Sequence, residues 1–530
     1  MVLLHRRVGR IGVLIASLTA TVICTSGALA QSAITQVNAL YSTITEANRS
    51  DTVLLPAIAK MTPPPAGAFT DQIGASIINE QSSSWPALTA WAGEPEQIAA
   101  LEALRNATTE KARGVSRAFG LRYGASETSP ENVSSGLFVE LGDPPLLGRA
   151  DFLYLNGISK LRDLTNIEAT RLLVEGEPAK SLDLMLNLAS LGRQLMDREF
   201  PAEAAYGYQL SIDAIRRMRD IVYVDFVSGQ PKLSPVDLVK VIRTLEPKSD
   251  FMRFDRLGFP RGPEYASKQI IDQTFGPNPG DKPTEAFATM VAQLSTGGHP
   301  LRMFGEVAHA RAAAQSHADR YDSDDYAKRA QDDFSLRWRL SNNDAQLLQA
   351  LFVDSIDPTR FAVVRLVYNE HARKLRELRQ MLETELVGTQ IALGIVSFHL
   401  QNNSYPRSLA AIRPKYVQEI ANDPFSREAS TGAQPWFGYF VPKLINVRDL
   451  GVREEAQPHT INVVMQSQQN FSLLIDSDQF VLYSTGPDGK LDRAHNVRED
   501  ATENFPGDYL VWPSVTSLYR RHLQESGLIK

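Results

Sequence analysis

A chain of 530 residues with one cysteine has a single thiol to offer, and Cys24 places it inside an apolar leader. His5, Arg6, Arg7 and Arg10 precede an apolar stretch from Ile11 to Cys24, and Ala28-Leu29-Ala30 forms a small-x-small signal before Gln31. This order predicts an export signal over residues 1–30, cut before Gln31. The alternative is a retained anchor, because residues 11–30 have about the length of a membrane span, although Thr19, Thr21, Thr25, Ser26 and Gly27 make it a weak one. Cys24 is a poor lipidation site, since Thr21-Val22-Ile23 lacks the small residue usual before a lipidated cysteine. Cleavage removes the thiol. The mature chain then has no disulfide, no Cys-ligated zinc and no Cys nucleophile, and its stability must come from buried apolar area.

Hydrophobic residues at 43% and charged residues at 22% fit an ordinary globular chain, long enough for two or three cores. Collagen-like, disordered and polytopic membrane classes are excluded, and no later apolar run reads as a membrane span. Removing residues 1–30 takes away three arginines and no acid, which moves the formal net charge from −6 to −9. An acidic balance argues against nucleic acid as the main partner.

Residues 31–145 read as a helical N-terminal region. Helical spacing is expected over 34–48, 69–81 and 95–119, with a break at Met61-Thr62-Pro63-Pro64-Pro65. Trp85 and Trp91 are expected in its core. Asp143-Pro144-Pro145 marks a boundary. Residues 146–384 then read as an irregular α-helical domain of paired helices. Leu161, Leu164, Ile167, Leu172 and Leu173 form one stripe, Glu175-Gly176-Glu177-Pro178 a turn, and a second helix starts at Pro178. That helix carries two stripes, Leu182/Met185/Leu186/Ala189 and Leu184/Leu188/Leu191/Leu195, so it is expected to be covered on two sides. Pro201 opens a third helix, and Ser234-Pro235 caps a fourth ending near Leu245. The order is similar to tetratricopeptide-type hairpins, without a fixed period. Such arrays bind peptides or proteins in a concave groove.

Catalytic signatures are sparse. His309 and His317, eight residues apart, lie about 12 Å apart on a helix, too far to share a metal. Asp322-Ser323-Asp324-Asp325 opens like a calcium loop but lacks the third ligand and the glycine. Asp332-Asp333 point about 100° apart on a helix, which suits a solvated face. The sequence holds no Gly-x-Ser-x-Gly, no phosphate loop and no dinucleotide fingerprint.

The last third is more specific. A helix of near forty residues is expected from Pro358 to about His399, long enough that it must project or link two bodies. After it come Tyr405-Pro406, a short helix to Tyr416, the turn Asp423-Pro424-Phe425, strands at 436–441, 470–475 and 479–484, and the loop Gly486-Pro487-Asp488-Gly489. Together, Tyr405-Pro406, Asp423-Pro424-Phe425 and Tyr483-Ser484 with Asp488-Gly489 resemble the C-terminal domain of the type II secretion major pseudopilin. The whole chain resembles the secreted two-part proteins of planctomycete-type bacteria. The internal, charged helix departs from a pseudopilin, whose apolar helix packs in a filament, so assembly as a pilus subunit is not implied. Residues 442–469 are an insertion relative to the family, with Asp449 and Glu454-Glu455 suggesting an exposed loop.

The resemblance implies a calcium site. A hard cation wants six to eight oxygens, and Asp488, Asp492 and Asp508 are the acids that could converge on one. The same Gly-Pro-Asp-Gly is also a plain tight turn that needs no metal. The sequence thus describes a mainly α protein: an irregular helical array followed, over 385–530, by a small α+β pseudopilin-like domain with a long N-terminal helix and an antiparallel sheet. Its expected role is a non-enzymatic, exported binding or scaffold protein of the cell envelope, with a protein or peptide partner. The alternative is a secreted hydrolase with a carboxylate/His site between the domains. Partner, substrate and oligomeric state stay open. Edman sequencing of exported material should begin at Gln31; a chain still starting at residue 1 contradicts the cleaved signal.

Overall fold

Prolines set where the helices begin. The computed structural model describes residues 32–70, 73–109, 117–246, 249, 251–296, 300–342, 344–426, 436–442, 458–464, 470–475, 479–489, 492–498 and 507–529; the export signal expected over residues 1–30 lies outside them. The N-terminal region holds α1 (32–42), α2 (Asp51–Ile58), α3 (Trp85–Ala92), α4 (Pro95–Thr108) and α5 (Pro130–Ser134). Next come α6 (Tyr154–Val174), α7 (Pro178–Met196), α8 (Pro201–Val227) and α9 (Pro235–Thr244). Pro95, Pro178, Pro201 and Pro235 each take a first helical position, where a missing N–H costs nothing. Ser234 and Asp237 close a reciprocal capping box on α9. Trp91 is buried and Trp85 half-buried, but the described residues of 69–81 form turns and irregular chain instead of the expected helix, and α4 stops at Thr108.

The centre of the molecule is α8, about 40 Å long, with 18 of its 27 residues buried. It packs along α7, α16 and the C-terminal helix α17. Where α7 crosses it, a Cβ on Gly192 would lie 2.7 Å from the Gly207 carbonyl oxygen, so only glycine lets the backbones meet. The two-stripe reading of α7 holds: Leu182, Met185, Leu184, Leu188, Leu191 and Leu195 are all buried.

Beyond α9 follow α10 (Gly262–Thr274), α11 (Glu285–Thr296), α12 (Pro300–Ser316), α13 (Arg320–Arg339), α14 (Phe352–Ser355), α15 (Ala362–Val367) and α16 (Glu370–Asn402). The acids at 322–325 sit in the first turns of α13, capped by Asp319, so they form no calcium loop. The long helix begins at Glu370, capped by Asn369, instead of at Pro358, and ends at Asn403 in the left-handed conformation. It neither projects nor links separate bodies. Fourteen successive residues, Thr384 to Ser397, are buried, between α8 and α9 on one side and the sheet on the other. It is also long and apolar enough, by length and composition, to cross a membrane, although no later span was expected; in this fold 89% of its apolar 18-residue stretch is buried inside the protein.

The C-terminal sheet has strands β1 (Gly438–Phe440), β2 (His459–Val464), β3 (Phe471–Ile475), β4 (Val481–Ser484), β5 (Asn496–Arg498) and β6 (Asp508–Trp512), followed by α17 (Val515–Glu525). Their order is β1-β4-β6-β5-β2-β3. The antiparallel pairs β1–β4, β4–β6 and β2–β3 are joined by parallel β2–β5 and β5–β6, so the sheet is mixed and not purely antiparallel. The expected insertion at 442–469 contributes β2, while Asp449 and Glu454-Glu455 lie outside the described residues. Leu482, Tyr509 and Val511 join the helical core, and Val481, Tyr483 and Leu510 face a second core under α17. The helical core is continuous from Ala33 to Trp512.

Ion pairs nail these layers to α8. Glu385 on α16 accepts from Arg216 at 2.7 Å, from Arg219 and from the Tyr509 hydroxyl of β6. The two arginines hold it ionised, below the usual carboxylate range despite burial. Asp220 accepts from Arg217, Arg520 and Ser517, and Arg520 Nε reaches the Ile77 carbonyl at 2.9 Å. Because Glu385 and the core of α16 are shared, a fragment of residues 380–530 should show no cooperative melt. In the full chain Glu385→Ala, which removes the buried carboxylate that Arg216 and Arg219 donate to, should cost about 3–5 kcal/mol in denaturant titrations. A cooperative fragment, or an Ala variant as stable as wild type, would show that these contacts carry little.

Candidate functional site

Two motifs of the C-terminal resemblance meet in space. Asp423, buried in the Asp-Pro-Phe turn, accepts from Ser484 Oγ at 2.8 Å and from the Thr485 amide at 2.8 Å, so the turn clamps the end of β4. Sequence reasoning singled out the turn but not this role. The loop that follows closes as a tight turn: Gly489 N–H donates to the Gly486 carbonyl at 3.1 Å, and Gly486 lies at φ +65°. A Cβ on Gly486 would sit 2.5 Å from the Gly507 carbonyl oxygen, so this turn lies directly against the start of β6.

There Asp492 and Asp508 converge. The Asp508 carboxylate accepts from the Ala494 amide at 2.6 Å and the Asp492 amide at 3.2 Å. Arg493 and Ala494 both adopt left-handed φ, 62° and 56°, which turns those N–H groups toward it. Asp492 Oδ1 is enclosed without a donor among the described residues. Burial, then the hydrogen bond shared with the Asp492 carboxyl, raises Asp508 to about 9. Asp488 stands half-buried on the turn. The structure does not bring it into a three-acid group with the other two: among the described residues no group of three His, Cys, Asp or Glu is placed to hold a metal.

Glu203, Asp333 and His317 are engaged by neighbours, whereas Asp332 and His309 are exposed. Glu203, fully buried, accepts from Arg198 at 2.9 Å, from Tyr123 at 2.6 Å and from Tyr154 at 2.5 Å. Asp333 pairs with Arg337 at 3.0 Å, while Asp332 is exposed on α13. His317 lies just past α12 against Phe275 and Phe287, where burial lowers its pKa, and His309 is exposed.

Two clefts open between helices. One, of about 750 Å³, lies between α3–α4 and α6–α7. Buried Leu101 and Leu184 and half-buried Leu172 line it, Ile98 is 46% exposed at its edge, and Arg105, Glu168 and Lys180 surround it. The other, of about 830 Å³, lies between residues 256–268 and one face of α13. No significant match to the chain was found among protein-family models, curated proteins or solved structures.

The carboxyl pair sets a pH dependence. Between the ordinary carboxylate range near 4 and about 9, folded Asp508 keeps a proton that the unfolded chain releases. Its contribution is therefore complete at low pH and is lost as pH rises through that window. Asp508→Asn places an amide N–H where the acid proton points at Asp492, and should flatten the decline of Tm across the window. An unchanged slope would locate the titration elsewhere.

Proposed function

We propose that the protein is an exported binding or scaffold protein of the cell envelope, whose helical hairpins take a peptide in the groove between α3–α4 and α6–α7. The observation that carries this is the groove itself: an apolar floor of Leu101, Leu172 and Leu184, an exposed Ile98 beside it, and charges of both signs around it. Such a lining suits a segment with one large apolar anchor flanked by charged residues, because the anchor supplies desolvation and the rim supplies register. The buried carboxylates between the helices and the sheet favour this reading over a hydrolase. Glu385 and Asp220 are each held ionised by two arginines, which makes them poor proton donors.

For the C-terminal unit we propose the pseudopilin-like identity and a calcium ion held by Asp492, Asp508 and loop carbonyls. The enclosed, donorless Asp492 Oδ1 beside a second carboxylate is the kind of oxygen pair a hard cation neutralises. Calcium binding only the folded state raises Tm by mass action.

Panning a random peptide library on the mature chain tests the groove. Enriched sequences should carry a bulky apolar residue between charges, and Ile98→Glu should weaken them by roughly tenfold or more, the loss of a buried hydrophobic anchor. No enrichment, or binding indifferent to Ile98→Glu, overturns the groove. For calcium, millimolar ion should raise the wild-type Tm over chelator and leave Asp508→Asn unmoved; equal melts in the wild type reduce the loop to a turn.

A further inference from the structure

The cleft along α13 runs against the charge of the chain. Five of its fifteen lining residues are basic, against 55 in 530 overall. Two of the five, Arg261 and Lys268, are engaged by Glu264 and Asp272. Arg256, Lys328 and Arg339 have no ion-pair partner among the described residues, and all three are exposed. Of the acids in the lining, Glu264 is held by Arg261 and Asp324 stands 3.9 Å from Arg320 of its own helix. Asp332 alone remains to set against three cations.

The floor is built. Phe259 stacks on Phe334 at 4.8 Å between centroids, Trp338 Nε1 donates to the Leu257 carbonyl at 2.8 Å, and Arg379 covers Trp338 at 4.8 Å. Gln331 Nε2 fastens the Pro260 carbonyl at 3.2 Å. These contacts fix the aromatic surface before anything binds, which removes an ordering cost. The cleft follows one face of α13 from Asp324 to Arg339, about 22 Å at helical rise, the reach of about six or seven extended residues.

We propose that this cleft binds an acidic peptide segment, its carboxylates meeting Arg256, Lys328 and Arg339 and an apolar side chain lying against Phe259 and Trp338. A long, basic, aromatic-floored channel on a chain of net negative charge selects such a ligand twice. Bulk repulsion turns away anions that make no local contact, and the unpaired cations hold those that fit. The site is formed by elements other than those of the α3–α4/α6–α7 groove and does not rest on that reading.

The test uses the full mature chain and a fluorescein-labelled peptide, Glu-Glu-Phe-Glu-Glu-Leu-Glu-Glu, with a counterpart in which every Glu is Gln. Fluorescence anisotropy should show saturable binding of the acidic peptide at low salt, little of the Gln peptide, and weakening as salt is added. The double variant K328E/R339E should lose roughly tenfold or more in affinity, the scale of charge reversal at a complementary interface, with an unchanged melt. Arg256→Gln, a milder change, gives a second reading should the double variant fold poorly. Ile98→Glu should bind the probe as wild type does, so failure of the other groove is told apart. Equal binding of the Gln peptide, wild-type affinity in the charge variants, or competition by a single-stranded oligodeoxythymidine of equal charge would each overturn the proposal.

Discussion

A helix buried on every side can still be required to carry charge, and α8 is such a helix. Glu203 near its start meets Arg198, whose guanidinium lies 4.2 Å from the Tyr41 ring centre and 4.7 Å from that of Tyr123. Arg216, Arg217, Arg219 and Asp220 in its second half meet α6, α16, α17, β6 and the Ser76 carbonyl. Apolar seams tolerate repacking. A buried charge does not tolerate losing its partner, because desolvation then goes uncompensated by several kcal/mol. Each layer around α8 is therefore held at the one position where its polar partner meets the right residue, and the chain, whose single cysteine can close no internal disulfide, gains its fixed register from these pairs and its stability from the apolar area around them.

That arrangement explains what was legible in the sequence. The starts of α4, α7, α8 and α9 were legible because proline and the Ser234 box act locally, although Pro358 misplaced the start of α16, and the two stripes of α7 were legible because burial on two sides leaves a periodic mark. The burial of α16 was not. Thr384, Glu385, Thr389 and Gln390 read as a polar face, yet each is buried, and Glu385, Thr389 and Gln390 are paired with residues about 145–170 positions earlier in the chain. No window of sequence contains such a partner. The sheet was half legible: β3 and β4 follow apolar runs, whereas β5 is three residues long and β6 is buried on both faces, so neither alternates. Of the candidate metal acids, the convergence of Asp492 with Asp508 could be anticipated from the loop's length. The role of Asp423 could not, because its hydrogen bonds span about sixty residues.

The same accounting bears on function. Among the described residues the buried carboxylates Glu203, Asp220 and Glu385 are each paired with arginine, whereas the clefts present Ile98 on one side and Arg256, Lys328 and Arg339 on the other. Chemistry needs a titratable group poised between states and accessible to substrate; binding needs unpaired charge and apolar surface on a rigid frame. The described residues concentrate the second set of features.

The C-terminal loop is the exception. Two successive non-glycine residues in the left-handed region cost about 1–3 kcal/mol each, and Ala494 is buried as well. They keep that conformation because the amides of Asp492 and Ala494 point at Asp508, whose charge cannot stand beside Asp492 unless a proton or a cation neutralises the pair. The same loop leads into Val497 and Arg498, which pair with β6 as a parallel neighbour. The next residue, Tyr509, gives its hydroxyl to Glu385. Charge at the loop and charge at α8 are therefore separated by one peptide unit and one tyrosine ring, and the sheet is bound to the helices right beside its own buried carboxyl pair.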